Sequence, residues 1–222
     1  MHSEAVSALI ISLKVALLAT VLASVSGVAG ARFLHNNDFT GKSALEAVFL
    51  LPMVLPPTVV GFGLLLILGR SGPLGTIFQG NILFTIKAAV IASATVAFPL
   101  VYQNARAAFR KVDREQEKAA RTLGAGELRV FTTVTLPLAL PGIISGIVLA
   151  FARALGEFGA TLMVAGNIPG KTETVPMAIY FAVEANDYAT AVPLVLIVLG
   201  ISFIVIFLTN FTFQRAPKKE RG

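Results

Sequence analysis

Apolar residues in this chain gather in long uninterrupted runs, with no two-residue alternation of the kind a half-buried strand requires. A helix needs about 20 apolar residues to cross a bilayer core. Residues 6–31, 46–69, 82–105 and 191–213 meet that length, and a fifth run from Leu138 to Ala165 does so while carrying Arg153 and Glu157. The stretch Val175–Val183 is apolar but too short to cross, which predicts a re-entrant or surface helix. The pattern predicts an all-α polytopic membrane helix bundle of five transmembrane helices, with a sixth only if that short stretch is recruited. It occupies one transmembrane domain over residues 1–222, since no linker or repeat divides the chain. The opening run from Ala5 to Ala31 is longer than a signal-peptide core and is preceded by His2 and Glu4, so it is expected to be a retained span.

Composition agrees with this placement. The chain is 55% hydrophobic and only 14% charged, too little charge to cover a soluble domain of 222 residues. The formal net charge of +6 could suggest nucleic acid, but its distribution excludes that reading. Thirteen of the eighteen basic residues fall in three segments, 32–45, 106–136 and the tail from 214 to 222. By the positive-inside rule these segments are cytoplasmic, which puts the N-terminus outside and the C-terminus inside. Five crossings give that topology. Lys14 and Lys87 lie near span ends and are expected to snorkel to the interface. There is no cysteine, so disulfides and thiolate metal sites are excluded.

The segment from Arg106 to Pro137 is the one sizeable hydrophilic stretch between spans. Its charged run from Arg110 to Lys118 predicts a short amphipathic helix ended at Gly124, where glycine accepts a left-handed cap at little cost. A second short helix is expected to lead to Pro137, which starts or kinks the next span. Such a helix–Gly–helix could dock in a groove on a partner, or it could be a solvated loop whose charges fix topology. Ala119, Ala120, Gly124, Val134, Leu136 and Pro137 fall on the EAA-loop pattern of ABC importer permeases, which this segment resembles. Lys118 stands where the pattern has its glutamate, with Glu117 one residue earlier. The resemblance implies that Glu117, Lys118, Ala119, Ala120, Gly124, Leu136 and Pro137 couple the permease to a separate ATPase.

Two other features invite chemistry. Ala165 to Thr172 resembles a phosphate-binding loop, but the pattern needs glycine at 165, where alanine stands, and a membrane span replaces the strand before it. The expectation is that it binds no ATP. Within the membrane, Pro52, Pro56 and Pro57 remove backbone donors from the second span, so Pro56, Pro57 and Thr58 either line and gate a pathway or mark a packed kink. Arg153 and Glu157, four residues apart, are expected to share one helix face, either as a structural ion pair or as a polar element near the pore.

The runs Leu55–Gly63, Gly156–Thr161 and Asn167–Thr172 look like the molybdate/sulfate branch of these permeases, and most like its molybdate members. This implies a homodimer, two ATP-binding subunits on the cytoplasmic face, and an external oxyanion-binding protein. ATP and magnesium would sit on the partner chain, with no cofactor or catalytic residue in this one. It also implies a molybdate or tungstate path along Pro56, Pro57, Thr58, Arg153, Glu157 and Thr161, with sulfate as the rival cargo. A membrane enzyme would need clustered His, Asp or Glu in the spans, and an ion-coupled transporter would need inverted repeats; the sequence has neither.

Overall fold

A computed structural model describes residues 2–77 and 82–214, and the side chains of residues 4–76 and 82–207. The basic tail from Arg215 onward lies outside the described residues. The described elements are all helical: α1 (His2–Asn36), α2 (Lys42–Val54), α3 (Pro57–Leu68), α4 (Pro73–Ile77), α5 (Ile86–Lys111), α6 (Arg114–Thr122), α7 (Glu127–Val130), α8 (Leu136–Leu155), α9 (Gly159–Ala165), α10 (Val175–Glu184) and α11 (Tyr188–Gln214). A π-helical turn, Phe131–Thr135, joins α7 to α8.

Small residues fix how the long helices meet. Ala16, Ala19 and Ala23 of α1 are buried with Ala94, Ala97 and Val101 of α5 and with Ala150 and Ala154 of α8. A Cβ added at Gly27 would come within 2.9 Å of Val101, and one at Gly146 within 2.6 Å of the Asn104 Cβ. Lipid offers apolar side chains nothing they do not find in the protein, so such close backbone approach is what holds membrane helices together.

The clusters also give helix directions. Ile11 and Val15 pack with Ala88 and Ala92, whereas Ala31 and Leu34 pack with Tyr102, Ala105 and Phe109, so α1 and α5 run parallel. Ala139 and Ile143 sit beside Phe109, and Leu155 beside Ala94, so α8 runs against them. Leu194 meets Ala8 and Ile201 packs on the Ala16–Leu155 cluster, which makes α11 parallel to α1. The ends of α1 and α5 and the start of α8 define one face, called here the connector face; the opposite face holds the starts of α1, α5 and α11.

Four helices are long and apolar enough to cross a membrane, or five crossings if the bent pair α2–α3 counts as one. That pair traverses the bundle once: Leu45, Phe49 and Leu50 pack near Phe109 at the connector face, and Leu68 packs with Ile11 near the other. Its axis bends by 117°. The cause is local. Leu55 and Pro56 each precede a proline and are held extended, and Pro57 opens α3 at a position where its missing N–H costs nothing.

Two boundaries differ from the sequence expectation. The run Leu138–Ala165 is not one span. Its helix ends at Leu155 with Gly156 as cap, and the chain restarts as the seven-residue α9. The short helix expected before Pro137 is continuous with the span, because the π-turn takes up the break and Glu127–Leu155 reads as one 29-residue helix. The ten-residue α10 is too short to cross, as its length in sequence predicts.

Candidate functional site

Two groups of predicted residues occupy opposite parts of the bundle. At the connector face, Asp113 caps α6 by accepting from the Glu115 N–H at 2.9 Å. The helix ends in a paired turn: Gly124 N–H donates to the Arg121 carbonyl at 2.9 Å and Ala125 N–H to the Ala120 carbonyl at 3.1 Å. Gly124 has φ +83°, and no atom lies within 4 Å of where its Cβ would be. That is the left-handed closure expected of glycine at this position.

Glu117 turns inward. Its side chain is 13% exposed, and its Oε1 accepts from the hydroxyl of Thr135, which is fully buried in the π-turn. Arg121 lies between carboxylates, at 3.5 Å from Glu117 Oε2 and 2.6 Å from Glu127 Oε1. Donating to the Glu127 carboxylate keeps the Arg121 guanidinium more basic than usual. From α1, the Arg32 guanidinium sits 4.7 Å from the centroid of the Phe131 ring. These contacts fasten α6 to the span helix, and they leave another face uncovered. Ala119 and Gly124 are exposed, Leu123 is 89% exposed, and Leu128 is 77% exposed. Lys118 pairs with Glu115 at 2.8 Å on the surface. Pro137 stands inside the first turn of α8, where Leu136 N–H reaches back to the Phe131 carbonyl.

The second group gathers where α8 breaks. Arg153 Nη1 lies 2.7 Å from Glu157 Oε2. The pairing matches expectation, but the two do not share a helix face, since Glu157 lies beyond the Gly156 cap. Freed from α8, the Glu157 side chain folds over the start of α9, and its Oε1 accepts from Ala160 N–H at 2.8 Å. The carboxylate thus neutralises the arginine and also fills the amide end of α9, leaving no strong anion trap at this point.

Pro56, Pro57 and Thr58 are exposed at the bend of α2–α3. Pro57 and Thr58 lie against α9, because a Cβ at Gly159 would come within 3.1 Å of Pro57 and 3.5 Å of the Thr58 nitrogen. Thr161 is fully buried, and its hydroxyl lies 3.3 Å from that of Ser93 on α5. The fold therefore brings Pro57, Thr58, Glu157 and Thr161 together around α9. Ser93 was not singled out in sequence, where it is one small residue in an alanine-rich run. The α3 face beside this group is apolar and uncovered, with Val59, Phe62 and Leu66 between 48% and 57% exposed.

The phosphate-loop lookalike is closed to phosphate. The backbone N–H groups of Lys171, Thr172 and Glu173 all donate to the Ile168 carbonyl, and the Thr172 hydroxyl donates to the Gly166 carbonyl at 3.1 Å. Amides committed internally cannot cradle an anion. Among the described residues no group of three His, Asp or Glu could hold a metal ion.

Residues 19–216 match the family described as binding-protein-dependent transport system inner membrane component. The chain is 44% identical to the molybdenum transport system permease protein ModB of Escherichia coli (strain K12), over 97% of this chain and 96% of that protein. It is 41% identical to ModB of Haemophilus influenzae, over 96% of both. A chain of the MetNI methionine ABC transporter, solved in inward-facing conformations, superposes with a TM-score of 0.75 over 98% of each chain at 15% identity. At that identity the likeness speaks to the fold alone.

Proposed function

The chain belongs to the inner membrane components of binding-protein-dependent transport systems, and from that premise we propose that it is the permease subunit of an ATP-driven importer of molybdate or tungstate. It is a multi-pass membrane protein of a transport system and not itself an enzyme. The cargo rests on its likeness to two proteins described as molybdenum permeases. Sulfate, of similar shape and charge, is the rival.

The observation that carries the coupling reading is the connector. A partner that grips α6 meets an exposed face of Ala119, Leu123 and Gly124, while Glu117, Arg121 and Thr135 tie the other face to the helix Glu127–Leu155. Motion of that handle is delivered to α8 without a slack joint. Leu136 and Pro137 serve by placing the π-turn, and Lys118 by its exposed charge. In this reading the connector face is cytoplasmic, as its arginines require, so the N-terminus lies outside and the C-terminus inside.

Two copies of the chain form the working unit, each served by an ATP-binding subunit that holds the ATP and magnesium. An external oxyanion-binding protein delivers the cargo. The path runs between the copies along Pro56, Pro57, Thr58, Arg153, Glu157 and Thr161, and the uncovered apolar face of α3 supports this placing. Because Glu157 cancels much of the Arg153 field, the dianion passes a weak site and specificity resides in the binding protein. Alternating access then needs a bundle with two arrangements that ATP binding biases.

The test is uptake of labelled molybdate into vesicles holding the reconstituted complex, with tungstate and sulfate as competitors. Uptake that requires ATP and that tungstate inhibits more than sulfate is the expected result. Uptake driven by an ion gradient without ATP would overturn the reading.

A further inference from the structure

The first N–H of α10 is capped from a distant part of the chain. Val175 N–H donates to the Ser12 hydroxyl of α1 at 2.7 Å, across 163 residues of sequence, and both residues are buried. Thr174, the residue that precedes α10 and would ordinarily cap it, makes no capping bond. Its hydroxyl is buried and has no hydrogen-bond partner. A threonine placed to cap a helix and left idle, beside a serine that does the work from another helix, is an unusual expense. A buried hydroxyl without a partner is costly.

The surroundings say what could move. The loop 166–174 is braced internally by the bonds to Ile168 and Gly166, so α9, the loop and the start of α10 form one stiff unit. Among the described contacts, Ser93 to Thr161 and Val175 to Ser12 pin that unit to the long helices, and Phe84 N–H, just before α5, donates to the Val164 carbonyl. Of these, the Val175–Ser12 bond joins the unit to α1.

We propose that Ser12 is a positioning residue that seats α10 against α1 in this conformation, and that Thr174 takes over as cap when α10 parts from α1 during the transport cycle. Pro176 has no N–H to offer, so the donor that Thr174 reaches in the parted state is the N–H of Met177. Separation then frees the Val175 N–H but caps the Met177 N–H and gives the Thr174 hydroxyl a partner, which lowers the cost of leaving the seated state. The handover rests on the permease reading, since it needs a cycle with two arrangements.

The experiment is amide hydrogen exchange over residues 175–184 in lipid nanodiscs. It is read for the chain at rest and for its complex with the ATP-binding partner held by a non-hydrolysable ATP analogue. A crossed pattern is expected. At rest Ser12→Ala speeds exchange about fivefold, the effect of one hydrogen bond, while Thr174→Val does not; in the nucleotide-held complex Thr174→Val speeds it and Ser12→Ala does not. Ser12→Thr and Thr174→Ser, which keep the hydroxyls, behave as the parent. A merely structural role for Ser12 gives the same effect in both states and none for Thr174, and that result overturns the handover, as does silence of Ser12→Ala at rest. If the complex imports molybdate yet shows no crossing, the handover alone falls. If no ATP-binding partner associates, both it and the permease reading fall.

Discussion

The carboxylate of Glu117 accepts the hydroxyl hydrogen of Thr135, eighteen residues further along and fully buried. This bond closes the connector onto the span helix, and its strength is testable because both ends are shielded from water. Thr135→Val keeps the shape and removes the donor. The expected cost is about 1.5–3 kcal/mol, that of a hydrogen bond to a charged group. It should appear as faster amide exchange across Arg114–Thr122, with the spans unchanged. Unaltered exchange in α6 would mean that the bond does not hold it.

Gly124 and Gly61 fail in opposite ways when given a side chain. At Gly124 there is open space and φ is +83°, so Gly124→Val meets backbone strain of about 1–2 kcal/mol and no clash. Inserted protein should accumulate normally while ATP hydrolysis is uncoupled from molybdate uptake. Full transport with that change would argue against the handle. At Gly61 a Cβ would lie 2.8 Å from the Ala160 backbone, so Gly61→Ala should instead separate α3 from α9 and lower thermal stability in detergent.

Removing one member of the Arg153–Glu157 pair should depend on which is removed. Glu157 has a side chain 1% exposed, whereas Arg153 is 33% exposed. Arg153→Leu strands a buried carboxylate and should cost about 3 kcal/mol or more. Glu157→Gln leaves a cation that is only partly buried and an amide that still accepts from Ala160, so the loss should be smaller. Thermal unfolding of the two variants checks the order, and equal losses would refute the burial argument.

Glu173, in the loop before α10, is raised above the ordinary carboxylate value of 4.5 by burial, with Glu4 adding to the shift and a hydrogen bond with Asn167 opposing it. A carboxyl raised in the folded state holds its proton more readily there than in the unfolded chain. Its contribution to stability is therefore full below the ordinary value and is lost as pH rises through the raised one. Loop protection, corrected for intrinsic exchange, should be greatest below pH 4.5 and fall as pH rises through the raised value. Glu173→Gln should remove most of that dependence.

Much of this was legible in the sequence because hydrocarbon length and charge placement are strong constraints. The long runs, the glycine closing α6 and the proline break at 55–57 all follow from backbone chemistry that acts within a few residues. The stop at Leu155 did not show, since Gly156 and Gly159 leave the apolar run unbroken and glycine is common inside membrane helices. Pairing across the chain was also hidden. Thr135 reads as one of several threonines in a polar approach to Pro137, and Ser93 and Ser12 as small residues in alanine-rich spans. Only the fold shows that a hydroxyl at each has a distant partner. Glu117 illustrates the middle case: its neighbourhood was found by motif, but its inward turn depends on the π-turn that lifts Thr135 toward it.

The alanine and glycine seam between α1, α5 and α8 limits where this protein can yield. Along the stretch of Ala16, Ala19, Ala23, Ala94, Ala97, Ala150 and Ala154 the helices touch through methyl groups, with few long side chains to swing into new rotamers. Sliding one past another would open voids along the whole contact. These three must tilt as a block, like staves glued edge to edge. Whatever opens or shuts must do so at the joints around them, where prolines and glycines have already cut the chain into short lengths.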